Sequence, residues 1–151
     1  MELIPIRKTG RWPKSAPQLP DVAAQVIKGT RKLYRAAGYE PPWICYFAVE
    51  GDTCVGTCGF KSPPENNRAE IAYFTFPEHE SKGVATRMAA ELIRLAREAT
   101  PSVTVAAQTL PGVSASSSVL KKLGFQLIGT DEDADVGLVW EWRLLNTSQE
   151  G

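Results

Sequence analysis

Phe74-Thr-Phe-Pro-Glu-His-Glu-Ser-Lys-Gly-Val-Ala-Thr-Arg-Met88 is the stretch that decides the fold. A strand enters it from Arg68. On that strand Glu70, Ala72, Phe74 and Phe76 share one face, and Ile71, Tyr73 and Thr75 the other. Pro77 turns the chain, and a helix follows over Gly83–Ala99, with Val84, Met88, Leu92, Leu95 and Ala99 as its apolar stripe. The first amides of a helix have no internal partner and carry positive partial charge, so an anion is favoured there. Gly83 and Ala85 are small enough to let an anion reach the backbone, and Lys82 adds a cation. The spacing fits neither a Walker loop nor Gly-x-Gly-x-x-Gly. A small-residue contact between helix and sheet would give the same local pattern.

The neighbouring segments complete the order outward. Met1–Ile6 reads as a first strand, and a Pro-rich connection, Trp12–Pro20, follows. Asp21–Ala37 is helical by its apolar spacing, with Gly29 as a break point within it and Gly38 as its end. Trp43–Val49 is a nearly continuous apolar run, expected of a strand covered on both faces. Gly51-Asp52 turns into a strand over Thr53–Phe60, and Ser62–Asn67 turns again. Beyond Pro101, Val103–Gln108 is a short strand and Ala115–Leu123 a helix closed by Gly124. Phe125–Gly129 and Val136–Leu144 form a last hairpin, in which Val136, Leu138, Trp140, Trp142 and Leu144 alternate as on a half-buried strand. The order β-α-β-β-β-α-β-α-β-β predicts an α/β fold, a mixed sheet with helices packed on it.

The 151 residues fit a single domain, residues 1–151. The charged fraction is 23% and the formal net charge zero, so nothing global favours nucleic acid or an anionic membrane as partner. No run reaches the roughly 18 apolar residues of a membrane span. With no signal-peptide pattern at the start, a cytoplasmic location is the default expectation. Cys45, Cys54 and Cys58 with the lone His79 make a poor metal set, and buried thiols are the expected state; Cys54 and Cys58 are expected on one strand face. Asn146-Thr147-Ser148 matches a glycosylation sequon, which is discounted in a chain expected inside the cell.

Three segments resemble the GNAT superfamily of N-acetyltransferases. Glu80-Ser-Lys-Gly-Val-Ala85 is similar to its pyrophosphate motif, Gln/Arg-x-x-Gly-x-Gly/Ala. Thr109-Leu-Pro-Gly-Val-Ser-Ala-Ser-Ser-Ser-Val-Leu-Lys-Lys-Leu-Gly-Phe125 resembles a segment of the branch that includes ribosomal-protein N-acetyltransferases, as does Glu70-Ile-Ala-Tyr-Phe-Thr-Phe-Pro77. The resemblance implies a mostly antiparallel sheet flanked by helices and acetyl-CoA as cosubstrate, without a metal. It implies that Phe74, Thr75 and Phe76 hold the acetyl end, that Ser81, Lys82, Gly83, Val84, Ala85 and Thr86 hold the pyrophosphate, and that Ser114 adds a contact. The chain departs from the family pattern at Glu80, at Ser114 (for Asn), and at Leu120, where many members carry a tyrosine acid.

For catalysis the resemblance points to Glu70 as base, with an ion-paired edge glutamate as the alternative. Ser116 is a cofactor contact or proton donor, or else a helix cap. Asp131, Glu132, Asp133 and Asp135 in the last turn either attract a cationic amine or are simply solvated, and Trp12, Trp43 and Tyr46 either line a pocket or fill the core. The expected activity is acetyl transfer to a primary amine, on a protein N-terminus or a small molecule. The alternative is a non-catalytic acyl-CoA-binding or interaction domain. Homodimerisation is left open.

Overall fold

The computed structural model describes residues 1–145, so the Asn146 sequon lies outside the described residues. The chain runs β1 (Glu2–Pro5), α1 (Ala23–Ala37), β2 (Cys45–Glu50), β3 (Thr53–Phe60), β4 (Arg68–Thr75), a 3-10 turn (Pro77–His79), α2 (Val84–Ala99), β5 (Thr104–Thr109), α3 (Ala115–Lys122), β6 (Gln126–Asp133) and β7 (Gly137–Leu144). Apart from the 3-10 turn, this is the order expected from the sequence. The strands form one sheet in the order β1-β2-β3-β4-β5-β7-β6. Only β4 and β5 pair in parallel, because α2 carries the chain between them; the other neighbours are antiparallel.

Alternation along β2 separates two cores. Tyr46 and Ala48 pack with Met88, Ala89 and Leu92 of α2 and with Leu120 of α3. Phe47 and Val49 pack with Ile6, Ala23 and Phe76, where α1 adds Val26 and Ile27. Residues next to each other on a strand point to opposite faces, so α2 and α3 cover one side of the sheet and α1 the other. The face of α2 that is buried differs from the expected stripe: Ala89 and Ala96 are buried and Ala99 is exposed. Trp43 and Tyr46 are core residues, and Trp12 meets Phe47 edge-on at 5.3 Å, so the core reading of these aromatics holds.

Four expectations need correction. Gly29 does not break α1: it lies on the exposed side, where a Cβ would meet nothing within 4 Å, so its cost is the ~1 kcal/mol of a helical glycine. Cys54 and Cys58 do not share a face. Ala48 pairs with Gly56 but Val49 with Cys54, so Val55 is an extra residue and the bulge reverses the alternation. Cys54 faces the core under α1 and Cys58 the core under α2. On β7 the alternation fails at its start, where Leu138 is exposed, while Val139 and Glu141 are buried on the opposite face; Val136 precedes the strand. Lastly, Asp131, Glu132 and Asp133 belong to β6 rather than to the turn.

Candidate active site

β4 and β5 pair only over Arg68–Glu70 with Thr104–Ala106 and then separate. Beyond Glu70 the β5-facing edge of β4 has no strand beside it among the described residues, and the sheet opens into a cleft. A cavity of about 430 Å³ occupies the mouth of this cleft. Its walls are Tyr73, Phe74 and Thr75 of β4, Glu80 and Ser81 of the loop, Gly83 and Val84–Thr86 at the start of α2, and Ala115, Ser116 and Val119 of α3.

The loop is built to present backbone. Ser81 and Gly83 have φ of 63° and 77°. Such left-handed residues turn successive N–H groups toward one side, the concavity that takes anions. The first helical bond runs from Arg87 N to the Gly83 carbonyl, so the amides of Val84, Ala85 and Thr86 precede the ladder. Arg87 fixes the loop from behind. Its guanidinium donates twice to Glu50, at 2.7 Å each, and once to the Lys82 carbonyl at 2.9 Å. These bonds from Arg87 hold the Glu50 carboxyl below its ordinary range. The cavity therefore offers what a pyrophosphate needs: free amides, a helix N-terminus and small residues.

The expected site residues divide accordingly. Phe74, Thr75, Ser81, Gly83, Val84, Ala85, Thr86 and Ser116 line this one cavity; Phe76, Lys82, Ser114 and Glu70 do not. Phe76 is turned into the core under α1, and its N–H donates to the Val55 carbonyl. The expectation that its amide faces the acetyl end is thus not met, because that amide is spent on β3. Ser114 caps α3, its hydroxyl accepting from Ser117 N at 3.2 Å while Ser117 Oγ accepts from Ser114 N at 2.8 Å. Glu70 is ion-paired at both oxygens, to Lys61 Nζ at 2.6 Å and Arg68 Nη2 at 3.0 Å. Leu120 is fully buried in the core.

A second, largely apolar cavity of about 230 Å³ lies under α1, between Val26, Thr30 and Leu33 on one side and Phe60, Ala72 and Phe74 on the other; Lys61 also lines it. It shares Tyr73 and Phe74 with the first. The two chambers therefore meet at the free edge of β4. Tyr73 was not among the expected site residues. On a strand it reads as a core-facing aromatic, and only the position of α3 makes it a wall of the cleft. Among the described residues, no group of three or more His, Cys, Asp or Glu is placed to hold a metal ion, and no helix is long and apolar enough to cross a membrane.

A family model described as "Acetyltransferase (GNAT) domain" matches residues 5–126. No curated protein matches the chain. Among solved structures, a spermidine N-acetyltransferase SpeG chimera of Vibrio cholerae and hSSAT has a TM-score of 0.70 at 10% identity, over 98% of each chain. RimL, a ribosomal L7/L12 α-N-protein acetyltransferase in complex with coenzyme A, has 0.64 at 17% identity, over 81% of this chain and 71% of its own. A Bacillus anthracis protein described as a streptothricin acetyltransferase, in complex with acetyl-coenzyme A, has 0.60 at 21%, over 74% of this chain and 67% of that one.

Proposed function

This chain belongs to the GNAT acetyltransferase family, and we propose that it moves the acetyl group of acetyl-CoA to a primary amine where its two chambers meet. The observation that carries the reading is that meeting point: an anion-binding cleft and an apolar chamber share only Tyr73 and Phe74. The cleft residues fit coenzyme A. The amides ahead of the α2 ladder suit its pyrophosphate, and the unpaired edge of β4 suits an amide-rich arm lying beside it. Acetyl-CoA supplies an activated acyl group; the protein supplies position, and backbone donors suited to polarising a carbonyl.

The test is thiol release from acetyl-CoA across a panel of amines. Release that depends on one amine class supports the reading. Coenzyme A binding without release from any amine would favour the non-catalytic acyl-CoA-binding alternative.

Among acceptors we expect α-amines to be preferred over lysine ε-amines. Neutralising an amine at pH 7 costs about 1 kcal/mol for an α-amine of pKa about 7.7–8.0 and about 4.6 kcal/mol for a lysine of pKa about 10.4. Neither chamber wall carries a carboxylate except Glu80, at the pyrophosphate end of the cleft, so base assistance is modest. One peptide presented twice, once with a free N-terminus and blocked lysine and once reversed, should show the larger kcat/KM in the first form. A larger value for the lysine form contradicts this.

Glu70 is proposed as the base only by way of water, since it lies outside both sets of wall residues and is held by Lys61 and Arg68. Glu70→Gln is expected to lower kcat on the order of 10²-fold, the lower end for loss of a base, with coenzyme A affinity retained. Unchanged kcat would leave Glu70 as a structural member of the ion-pair group.

A further inference from the structure

The pairing of β3 with β4 decides what one end of the chamber under α1 presents. Thr57 pairs with Phe74, Gly59 with Ala72 and Phe60 with Ile71. Phe60 and Ile71 belong to the core under α2, so the alternate pairs face α1. The register continues one step past β3, where Lys61 N donates to the Glu70 carbonyl at 3.0 Å. The α1 side therefore carries Thr57 with Phe74, then the bare pair Gly59 with Ala72, then Lys61 with Glu70. The bare pair floors the hollow beneath Val26, Thr30 and Leu33. A larger residue at Gly59 is excluded, since its Cβ would meet Cys45 Cα at 2.6 Å.

Ala72 and Phe74 lie beyond Glu70, the last residue of β4 that pairs with β5, and so border the open edge of the strand. Lys61 and Glu70 close the opposite end, roughly 7 Å along the strand from Ala72. An acceptor whose amine faces the open edge turns its far end to this pair. The pair presents a cation. Lys61 is the sole charged residue in the chamber wall, and Glu70 is not part of that wall. Glu70 Oε1 accepts from Arg68 Nη2 at 3.0 Å, and its buried Oε2 meets the Lys61 ammonium at 2.6 Å. Other carboxylates on this face are engaged or remote. Glu141 is held by Arg68, Arg143 and Gln108, and Asp131 and Asp133 lie on β6, beyond β5 and β7 from β4.

We propose that Lys61 is a specificity-determining residue: by capping Glu70 it makes the chamber take an amine whose far end is apolar, and refuse one that carries a second cation there. The assignment rests on the acetyl-transfer reading and names its acceptor class. A second cation would leave water to stand beside the Lys61 ammonium, among Leu33, Phe60 and Phe74, with no wall carboxylate to receive it. An alkyl end is matched by those same walls. The hollow of about 230 Å³ is smaller than the roughly 300 Å³ at which sites for drug-sized ligands begin, so the group it takes is small.

Three α-amines on one scaffold test this: leucinamide, argininamide and glutamic acid 1-amide, arginine being chosen because its guanidinium stays charged. In wild type, kcat/KM by thiol release should be highest for leucinamide and lower for argininamide on the order of 10–10²-fold. Lys61→Met keeps an apolar stem at a half-exposed position and uncovers Glu70. In that variant the ratio of argininamide to leucinamide should rise on the order of tenfold. Taking the ratio within each variant cancels any effect on the chemical step common to both amines. Lys61→Arg should keep the wild-type ratio, and adding Glu70→Gln to Lys61→Met should remove the gain. Melting temperature confirms folding, and the wild-type order decides by itself should Lys61→Met not fold. The assignment is overturned by argininamide matching leucinamide in wild type, or by an unchanged ratio in folded Lys61→Met. Highest activity with glutamic acid 1-amide overturns it too, since Lys61 would then dock an anion rather than cap Glu70. Absence of thiol release from the wild-type protein with every amine overturns the acetyl-transfer reading itself, and the assignment with it.

Discussion

Gly83→Glu is expected to weaken coenzyme A binding strongly while the protein stays folded. Gly83 is exposed at the start of α2, with φ of 77°. A side chain there projects toward the loop, and its Cβ would come within 2.9 Å of the Arg87 guanidinium. A carboxylate at this position sets a negative charge where the helix N-terminus favours a pyrophosphate. Two like charges about 4 Å apart near a protein surface repel by about 1–4 kcal/mol, which is a loss of affinity of roughly 10–10³-fold at 1.4 kcal/mol per tenfold. Gly83→Ala separates charge from backbone strain. A non-glycine residue in the left-handed region costs about 1–2 kcal/mol, so the alanine variant should lose only around tenfold. Titration calorimetry on both proteins, with circular dichroism as the folding control, checks the pair. Unchanged affinity in the glutamate variant would remove the cleft as the cofactor site.

Glu141→Ala is expected to cost the fold about 3 kcal/mol. Glu141 is 6% exposed on β7, and four bonds reach its carboxylate from three partners. Arg68 donates two, at 2.8 and 2.7 Å, and Arg143 and Gln108 one each, at 3.0 and 3.1 Å. Removing one member of such a group strands the others, at about 3–5 kcal/mol; the low end applies because Arg68 is partly exposed and keeps Glu70. Burial works against the ionised form of Glu141, but the bonds from Arg68, Arg143 and Gln108 outweigh it and hold the carboxyl below its ordinary range. A depressed folded-state value means this stabilisation is complete above the unfolded glutamate value of about 4.3 and is lost as pH falls through the folded one. Urea unfolding at neutral pH should show the 3 kcal/mol. Below the unfolded glutamate value of about 4.3, the stability of Glu141→Ala should fall less steeply than that of the wild type. Parallel acid profiles would show that this carboxylate is not what acid removes.

The order of elements was legible because each element carries its own period, as in the apolar positions of α1 and α2, and its own punctuation at Gly38, Gly51, Pro101 and Gly124. What escaped depends on contacts made in three dimensions. The bulge at Val55 has no marker in Thr53–Phe60, so the divergent sides of Cys54 and Cys58 could not be read from their spacing. Burial on both sides of β7 is invisible in an alternating sequence, because Glu141 is buried only by virtue of Arg68, some seventy residues away. The cavity at the start of α2 was legible because a backbone-lined hollow at a helix start needs only glycine and small residues. Tyr73 was not, because its place in the cleft is set by α3, and Phe76 was misjudged because its amide is taken by Val55.

The two margins of the sheet have a consequence for how this protein behaves when crowded. An open strand edge is a template on which another chain can add, and proteins survive by blunting it. β1 does so by brevity and by ending in Pro5, which has no N–H to offer. β6, eight residues long and almost wholly exposed, does so with Asp131, Glu132 and Asp133 along its outer half and a register shift between Leu127 and Gly129. A second copy laid against this edge would bring carboxylates face to face near neutral pH. Screening or neutralising those charges weakens that repulsion, while Leu127 and Ile128 stay exposed beside it. Growth of sheet-like aggregates should therefore begin at this margin when its charges are screened or neutralised.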